Sequence, residues 1–305
     1  MLIDFIIILL SIFGLWFGAL WVVDSATHIA KKLGISELVI GLTVVAIATS
    51  APEFAVTVSA ALSGQSAISL GNVIGSNIFN LGLILGIVAI FSSISTNKSI
   101  WLRDGGLLVI TAILLLVFYY DLELVWYEGL ILFSILVSYI VFLIKKKEPI
   151  EEDIPTGDFT WIDIPKIIGG IVLIIGSANF LVESATSIAK VFGVSDWLIG
   201  ITIVAGGTSV PEFATSIVAL IKGRHGISAG NLIGSDLFNM LGVLGVASVL
   251  RTISISESEY LSLLVMLINL MIFFVMLRTG WKVTRIEGII LITIALFRWS
   301  LDFWI

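Results

Sequence analysis

Two short stretches carry most of the chemistry in this sequence: Ala48-Thr49-Ser50-Ala51-Pro52-Glu53-Phe54 and Gly207-Thr208-Ser209-Val210-Pro211-Glu212-Phe213. Each sets two hydroxyls, a proline and a carboxylate inside a long apolar run with no Lys or Arg of its own. An acid at the centre of a bilayer costs about 2.5–3.5 kcal/mol on insertion scales. It must therefore be protonated or matched by a cation. Protonation alone gives the neighbouring hydroxyls nothing to do. A hard cation uses them, because Ca²⁺ takes about 6–8 oxygen ligands and Na⁺ is likewise oxygen-seeking. Two glutamates also balance one Ca²⁺. Proline adds further oxygen: Pro52 and Pro211 lack an N–H, so the carbonyls of Ala48 and Gly207 lose their helical partners. The residues before them are steered away from helical angles, and Gly206 and Gly207 add backbone latitude in the second stretch.

A second pair of motifs completes the oxygen set. Gly71-Asn72-Val73-Ile74-Gly75-Ser76-Asn77-Ile78-Phe79-Asn80 lies over Gly230-Asn231-Leu232-Ile233-Gly234-Ser235-Asp236-Leu237-Phe238-Asn239. On a helix, Ser76 and Asn80 share a face, as do Ser235 and Asn239. The glycine pairs form G-x-x-x-G, a pattern that lets helices pack closely. Taken singly, each polar residue has a less favoured reading as a hydrogen bond between helices. The doubled, symmetric set points to a binding site.

These residues need a membrane scaffold. The chain has 305 residues, 58% hydrophobic and 12% charged, with mean hydropathy +1.15. Soluble domains carry about 25% charge, so a polytopic all-α membrane protein is expected. A net charge of −6 argues against a nucleic-acid partner. The absence of Cys removes disulfides and thiolate sites. His28 and His225 fall near predicted helix ends, where a structural role suits them, so Zn²⁺ and copper are disfavoured. The N-terminal run has no basic leader and no cleavage site, and reads as a first transmembrane helix rather than a signal peptide. Asn97-Lys98-Ser99 matches a glycosylation sequon but falls on the expected inner side.

Ten apolar runs are long enough to span a bilayer: 2–23, 37–62, 68–93, 101–120, 124–144, 162–182, 196–221, 227–250, 260–277 and 283–305. They divide into a first repeat (1–144), a hydrophilic linker (145–161) and a second repeat (162–305). The repeats align without a gap, since 212 − 53, 235 − 76 and 239 − 80 all give 159. With the N-terminus outside, thirteen basic residues fall on inner loops: Lys31, Lys32, Lys98, Arg103, Lys145, Lys146, Lys147, Lys166, Lys222, Arg224, Arg278, Lys282 and Arg285. Lys190 and Arg251 stay outside, and Arg298 lies on or near the last helix. Both ends are then expected outside. Five spans per repeat is odd, so the second repeat is expected to enter the membrane inverted, as in secondary transporters.

Ala48–Phe54 with Gly71–Asn80, and Gly207–Phe213 with Gly230–Asn239, resemble the two alpha-repeats of the calcium/cation antiporter superfamily, within it most closely the prokaryotic sodium/calcium exchangers. The resemblance covers nearly the whole chain. It implies ten helices, with the second, third, seventh and eighth around the ions and the first and sixth sliding across them. It implies a Ca²⁺ site made by Glu53, Glu212, Thr49 and Thr208. One flanking Na⁺ site would use Glu53, the Ala205 carbonyl, Thr208, Ser209 and Ser235. Its mirror would use Glu212, the Ala46 carbonyl, Thr49, Ser50 and Ser76, with Asn80 and Asn239 lining the middle. Family members typically exchange three Na⁺ for one Ca²⁺. The resemblance implies Ca²⁺ export driven by Na⁺ entry across the cell membrane, with no cofactor, and no partner beyond the two ions and the lipid bilayer.

Two positions depart from the pattern. Some relatives carry Asp where Asn239 stands, and Asn here weighs against potassium co-transport. Asp236 replaces the Asn of the first repeat, Asn77; it is either a protonatable group at the edge of the ion path or a bonding partner for a neighbouring helix. Proton-coupled Ca²⁺ antiport is therefore the main rival. An intramembrane protease would find no His or Cys in the core motifs, a paired-acid protease does not account for the duplicated hydroxyls beside each acid, and a passive channel fits poorly with carboxylates held mid-site.

Overall fold

The computed structural model describes residues 1–146, 158–194, 203 and 205–301. Most of the expected linker (147–157), the start of the seventh apolar run (196–202 and 204) and the last four residues lie outside these. The elements, in order, are α1 (Leu2–Leu33), α2 (Glu37–Thr49), α3 (Ala51–Leu62), α4 (Ser66–Phe91), β1 (Ile94–Ser95), α5 (Ile100–Asp121), β2 (Glu123–Leu124), α6 (Trp126–Lys146) and α7 (Asp163–Val191). After these come α8 (Val210–Ile221), α9 (His225–Leu250), β3 (Ile253–Ser254), α10 (Glu257–Arg278), β4 (Lys282–Val283) and α11 (Arg285–Leu301). Among the described residues seven helices are long and apolar enough to cross a membrane, or eight if the bent pair α2–α3 is one span. The four strands, two residues each, are too short for a sequence pattern to announce.

Helices α1 and α7 run well past the apolar windows that foretold them, continuing through Asp24–Lys32 and Glu183–Lys190. What stops them is backbone, not hydropathy. Gly34 at φ 65° and Gly193 at φ 77° take the left-handed conformation that closes a helix C-terminus. Lys31 and Lys32 sit in the last turn of α1, where cations suit the helix dipole.

By packing, the chain forms two compact units, and each draws on both repeats. The first comprises Met1–Ser50 and Lys146–Asn231. Here α1 and α7 pack together, touching where a Cβ on Gly18 would stand 2.8 Å from the Gly170 carbonyl, and the reverse. Gly230 meets Gly41 in the same way, with its Cβ position 2.5 Å from the Leu38 carbonyl. Among the described residues nothing approaches Gly71 or Gly75 within 4 Å; Gly200, the repeat counterpart of Gly41, lies outside them. Charged residues knit the ends of this unit. His28 Nδ1 lies 3.0 Å from Asp163, Arg224 donates to the buried Glu37 at 3.0 Å, and Lys222 pairs with Asp24. Lys31 donates to Asp158 at 3.0 Å, and that bond holds the Asp158 carboxyl below the ordinary carboxylate range. Lys32 rests over the Phe159 ring, so the far end of the linker is tied to the end of α1.

The second unit comprises Ala51–Lys145 and Leu232–Ile305. Its strands pair reciprocally: Ile94 opposes Val283, and Leu124 opposes Ile253, antiparallel in both cases. Since 253 − 94 and 283 − 124 both give 159, the two ladders are the same contact made twice with the repeats exchanged. Two glycine contacts follow the same rule. Gly86 meets Gly288 and Gly245 meets Gly129, each pair bringing backbone to backbone. Asp104 is wholly buried against Arg103, with Tyr139 donating to it at 2.7 Å. Asn97, of the sequon, uses its side-chain oxygen to accept the Ile100 N–H at 2.9 Å and so caps α5.

These glycine contacts are testable. In Gly129→Ala the new Cβ would stand 2.5 Å from the Gly245 carbonyl, a backbone atom that cannot step aside. Overpacking of this kind costs about 1–3 kcal/mol, more than the helix propensity gained. Thermal unfolding in detergent should show a lower midpoint for Gly129→Ala and no drop for Gly176→Ala, which meets no described atom within 4 Å.

Candidate ion-binding site

The breaks that carry the acids fall just before the prolines. Ser50, at φ −82° and ψ 13°, interrupts the second span, and α2 and α3 meet there at a 50° bend. Pro52 is the second residue of α3, and Pro211 the second residue of α8, where Ser209 (φ −89°, ψ 5°) marks the start. Proline in a first turn removes an N–H that has no helical partner anyway. It therefore starts the new helix cleanly and gives no N–H to the carbonyl four residues back. Glu53 and Glu212 follow at once, in first turns whose free N–H groups favour negative charge by up to about 2 kcal/mol.

In the first unit, Glu212 is wholly buried and Ser50 Oγ donates to its Oε1 at 2.8 Å. Thr49 Oγ1 donates to Asn231 Oδ1 at 3.0 Å, with the Ala46 carbonyl at 3.3 Å. Asn231 Nδ2 in turn donates to the Glu212 carbonyl at 3.3 Å and to Ser216 Oγ at 3.0 Å. One amide thus fixes the peptide of the acid and meets the hydroxyl of α2. Ser209 is buried at the start of α8, Thr208 is half-buried beside it, and Ala205 opens the short helical turn Ala205–Gly207.

The second unit repeats the plan. Glu53 is wholly buried, and Ser76 Oγ lies 3.4 Å from its Oε1. Asn72 Nδ2 donates to the Glu53 carbonyl at 3.3 Å and to Thr57 Oγ1 at 3.0 Å. The offset of 159 carries Asn72, Glu53 and Thr57 onto Asn231, Glu212 and Ser216, bond for bond. Ser235 is buried in this unit. Asn80 Nδ2 donates to Asp236 Oδ1 at 3.0 Å, and Asn239 Nδ2 to Asn77 Oδ1 at 3.2 Å. Both Asn80 and Asn239 are the second residue of a π-helical turn, Phe79–Ile84 and Phe238–Val243. Such turns widen a helix and gather at functional positions.

Four bracing residues, Asn72, Asn231, Thr57 and Ser216, were not singled out from sequence. The amides at least were visible in principle, since both occupy the doubled Gly-Asn motif at the constant offset. Among the described residues no group of three or more His, Cys, Asp or Glu clusters as a metal centre. The candidate ligands are instead carboxylate, hydroxyl, amide and carbonyl oxygens, a set that favours hard cations over soft ones.

Comparison with known proteins agrees with this chemistry. The model of the family described as sodium/calcium exchanger protein matches residues 3–145 and 165–298. The sodium/calcium exchanger MaX1 of Methanosarcina acetivorans is 32% identical, with 95% of each chain covered. The CaxA protein of Alkalimonas amylolytica is 34% identical, with 96% of each covered. Solved structures of the sodium-calcium exchanger NCX_Mj superpose with a TM-score of 0.86 at 29% identity, over 97% of both chains. The relatives are exchangers and membrane proteins. A chain with this helical architecture, doubled acidic motif and full-length match belongs to the sodium/calcium exchanger family.

Proposed function

We propose that this chain is a secondary antiporter that exchanges Na⁺ for Ca²⁺ by alternating access, most naturally exporting Ca²⁺ on Na⁺ entry. The observation that carries this reading is the matched pair of buried glutamates, each on a helix first turn, each with a serine hydroxyl and an asparagine brace. Both carboxylates would ligate Ca²⁺ together with Thr49 and Thr208. Na⁺ would use Glu53 with Ala205, Thr208, Ser209 and Ser235, and Glu212 with Ala46, Thr49, Ser50 and Ser76. Three Na⁺ against one Ca²⁺ moves one net charge, worth about 2.3 kcal/mol per 100 mV.

The scaffold in this reading has ten helices in two inverted repeats with both termini outside. The reciprocal strand pairs and glycine contacts support that two-fold plan, and the distribution of basic residues supports the orientation. The close α1–α7 pairing supports their moving as one piece during the cycle. Proton-coupled Ca²⁺ antiport is the second reading, raised by Asp236, another wholly buried acid.

Proteoliposomes separate the two. Ca²⁺ uptake should follow an outward Na⁺ gradient at matched pH and respond to membrane voltage; uptake driven by a pH gradient alone would favour the second reading. Glu53→Gln and Glu212→Gln should each abolish transport while the protein stays monodisperse, and wild-type rates in either variant would overturn the site assignment. Asn72→Ala and Asn231→Ala leave the acids in place but release their braces. Losing bonds of this kind costs about 1–3 kcal/mol, so calorimetric Ca²⁺ affinity should fall about tenfold in each.

A further inference from the structure

Within the second unit, four side chains form a polar group whose wiring is reciprocal between the repeats. Asn80 donates to residue 236 of the other repeat, and Asn239 donates to residue 77. The offset of 159 relates 77 to 236 and 80 to 239, so the two bonds are one contact made twice. Only the acceptors differ: a carboxylate at Asp236, an amide at Asn77.

That difference decides which way the amides face. A carboxylate oxygen can only accept from an amide, so Asn80 must turn its nitrogen toward Asp236 and its oxygen away. Asp236 also acts through its backbone, because Asn77 Nδ2 donates to the Asp236 carbonyl at 3.4 Å and faces the weakly accepting Met266 sulfur at 4.0 Å. With its nitrogen so engaged, Asn77 offers only its oxygen to Asn239, which must then also present nitrogen inward and oxygen outward. Asp236 is the root of both orientations. The consequence is visible in the two oxygens: Asn80 Oδ1 and Asn239 Oδ1 are wholly buried and accept no hydrogen bond from any described residue. A buried acceptor left unmade is costly, and two related by the repeat mark a place kept for a donor of positive charge.

We propose that Asp236 is a positioning residue of the ion site: through its carboxylate and its main-chain carbonyl it locks the amide oxygens of Asn80 and Asn239 toward the transported cation. The inference rests on the exchange reading above and adds to it a determinant of ion affinity outside the repeated pattern. In Asp236→Asn the shape is kept, but the new amide can present either nitrogen or oxygen, so the Asn80 half of the lock is lost although a hydrogen bond is still available, while the main-chain carbonyl that orients Asn77 remains. In Asn77→Asp combined with Asp236→Asn the network is rebuilt in mirror image. The carboxylate introduced at position 77 then fixes Asn239. The amide introduced at position 236 can donate to the carbonyl of residue 77 and accept from Asn80.

The test is calorimetric Ca²⁺ binding, repeated with Na⁺ as competitor, on purified full-length wild type, Asp236→Asn and the mirror double variant. Loss of a charge-assisted bond predicts about tenfold weaker Ca²⁺ binding in Asp236→Asn, with a raised Na⁺ requirement for competition. The mirror variant should return both to within about threefold of wild type. Wild-type affinities in Asp236→Asn would overturn the proposal, as would a folded mirror variant as weak as the single one, since a purely structural acid predicts no such rescue. Should Asp236→Asn fail to fold, the mirror variant alone decides, by the same threefold limit. Failure of wild type to bind either ion would instead sink the exchange reading.

Discussion

A carboxylate buried away from water must have its charge answered, and this chain answers it in two different ways. Glu37 faces Arg224, Asp104 faces Arg103 and Tyr139, and Asp163 faces the His28 imidazole. Each of those acids joins two elements and has a basic side chain to hold. Glu53 and Glu212 are buried just as fully, yet their carboxylates are met by Ser76 and Ser50. Hydroxyl donation and a helix first turn together offset part of the burial cost, up to about 2 kcal/mol from the helix terminus against about 2.5–3.5 for an acid at mid-bilayer. In the proposed cycle a bound Na⁺ or Ca²⁺ would add to these.

The same logic explains why the braces are amides. Asn72 and Asn231 touch the glutamates at the peptide carbonyl, not at the carboxylate. They fix where the acid stands and leave its charge to others. An Arg in either place would hold the backbone equally well and neutralise the site. Because the two braces have the same partners at the same distances, each glutamate enters its site with the same backbone restraint. In the proposed cycle, that equality would suit a carrier that holds its cargo from two sides in turn.

Much of this was legible in the residues. The doubled motifs, their constant offset and the oxygen-rich composition led to the glutamates, threonines and serines directly, and hydropathy found the long helices. The remainder escaped for physical reasons. Pro52 announced a break, but a proline tolerated in a first turn cannot say that the break is at Ser50. The π-turns at Phe79–Ile84 and Phe238–Val243 leave no mark on composition, since they change hydrogen-bond register rather than residue type. Helix ends at Gly34 and Gly193 depend on a left-handed glycine after a polar last turn, which hydropathy windows discard. Asn72 was hidden by its neighbours, because between two glycines an amide reads as packing chemistry. Spacing alone left Asp236 open; the structure gives it the Asn80 amide as a partner.

Symmetry this thorough makes the exceptions informative. Strands, glycine contacts and glutamate braces are each made twice with the repeats exchanged. Two related arrangements built from identical contacts would be equal in energy, and a carrier of that kind would have no preferred resting side. The 77/236 pair breaks the equality, with a carboxyl group at one position and an amide at the other. A carboxylate binds an amide nitrogen more strongly than another amide does, by roughly a factor of two for charge-assisted bonds. The Asn80 side of the network is therefore the stiffer one, and the Asn239 side, held through the Asn77 amide, the looser. If the cycle swaps the roles of the repeats, the step that disturbs Asn80 must be the harder of the two. Any such difference then traces to a single position, without disturbing the matched braces of the two glutamates.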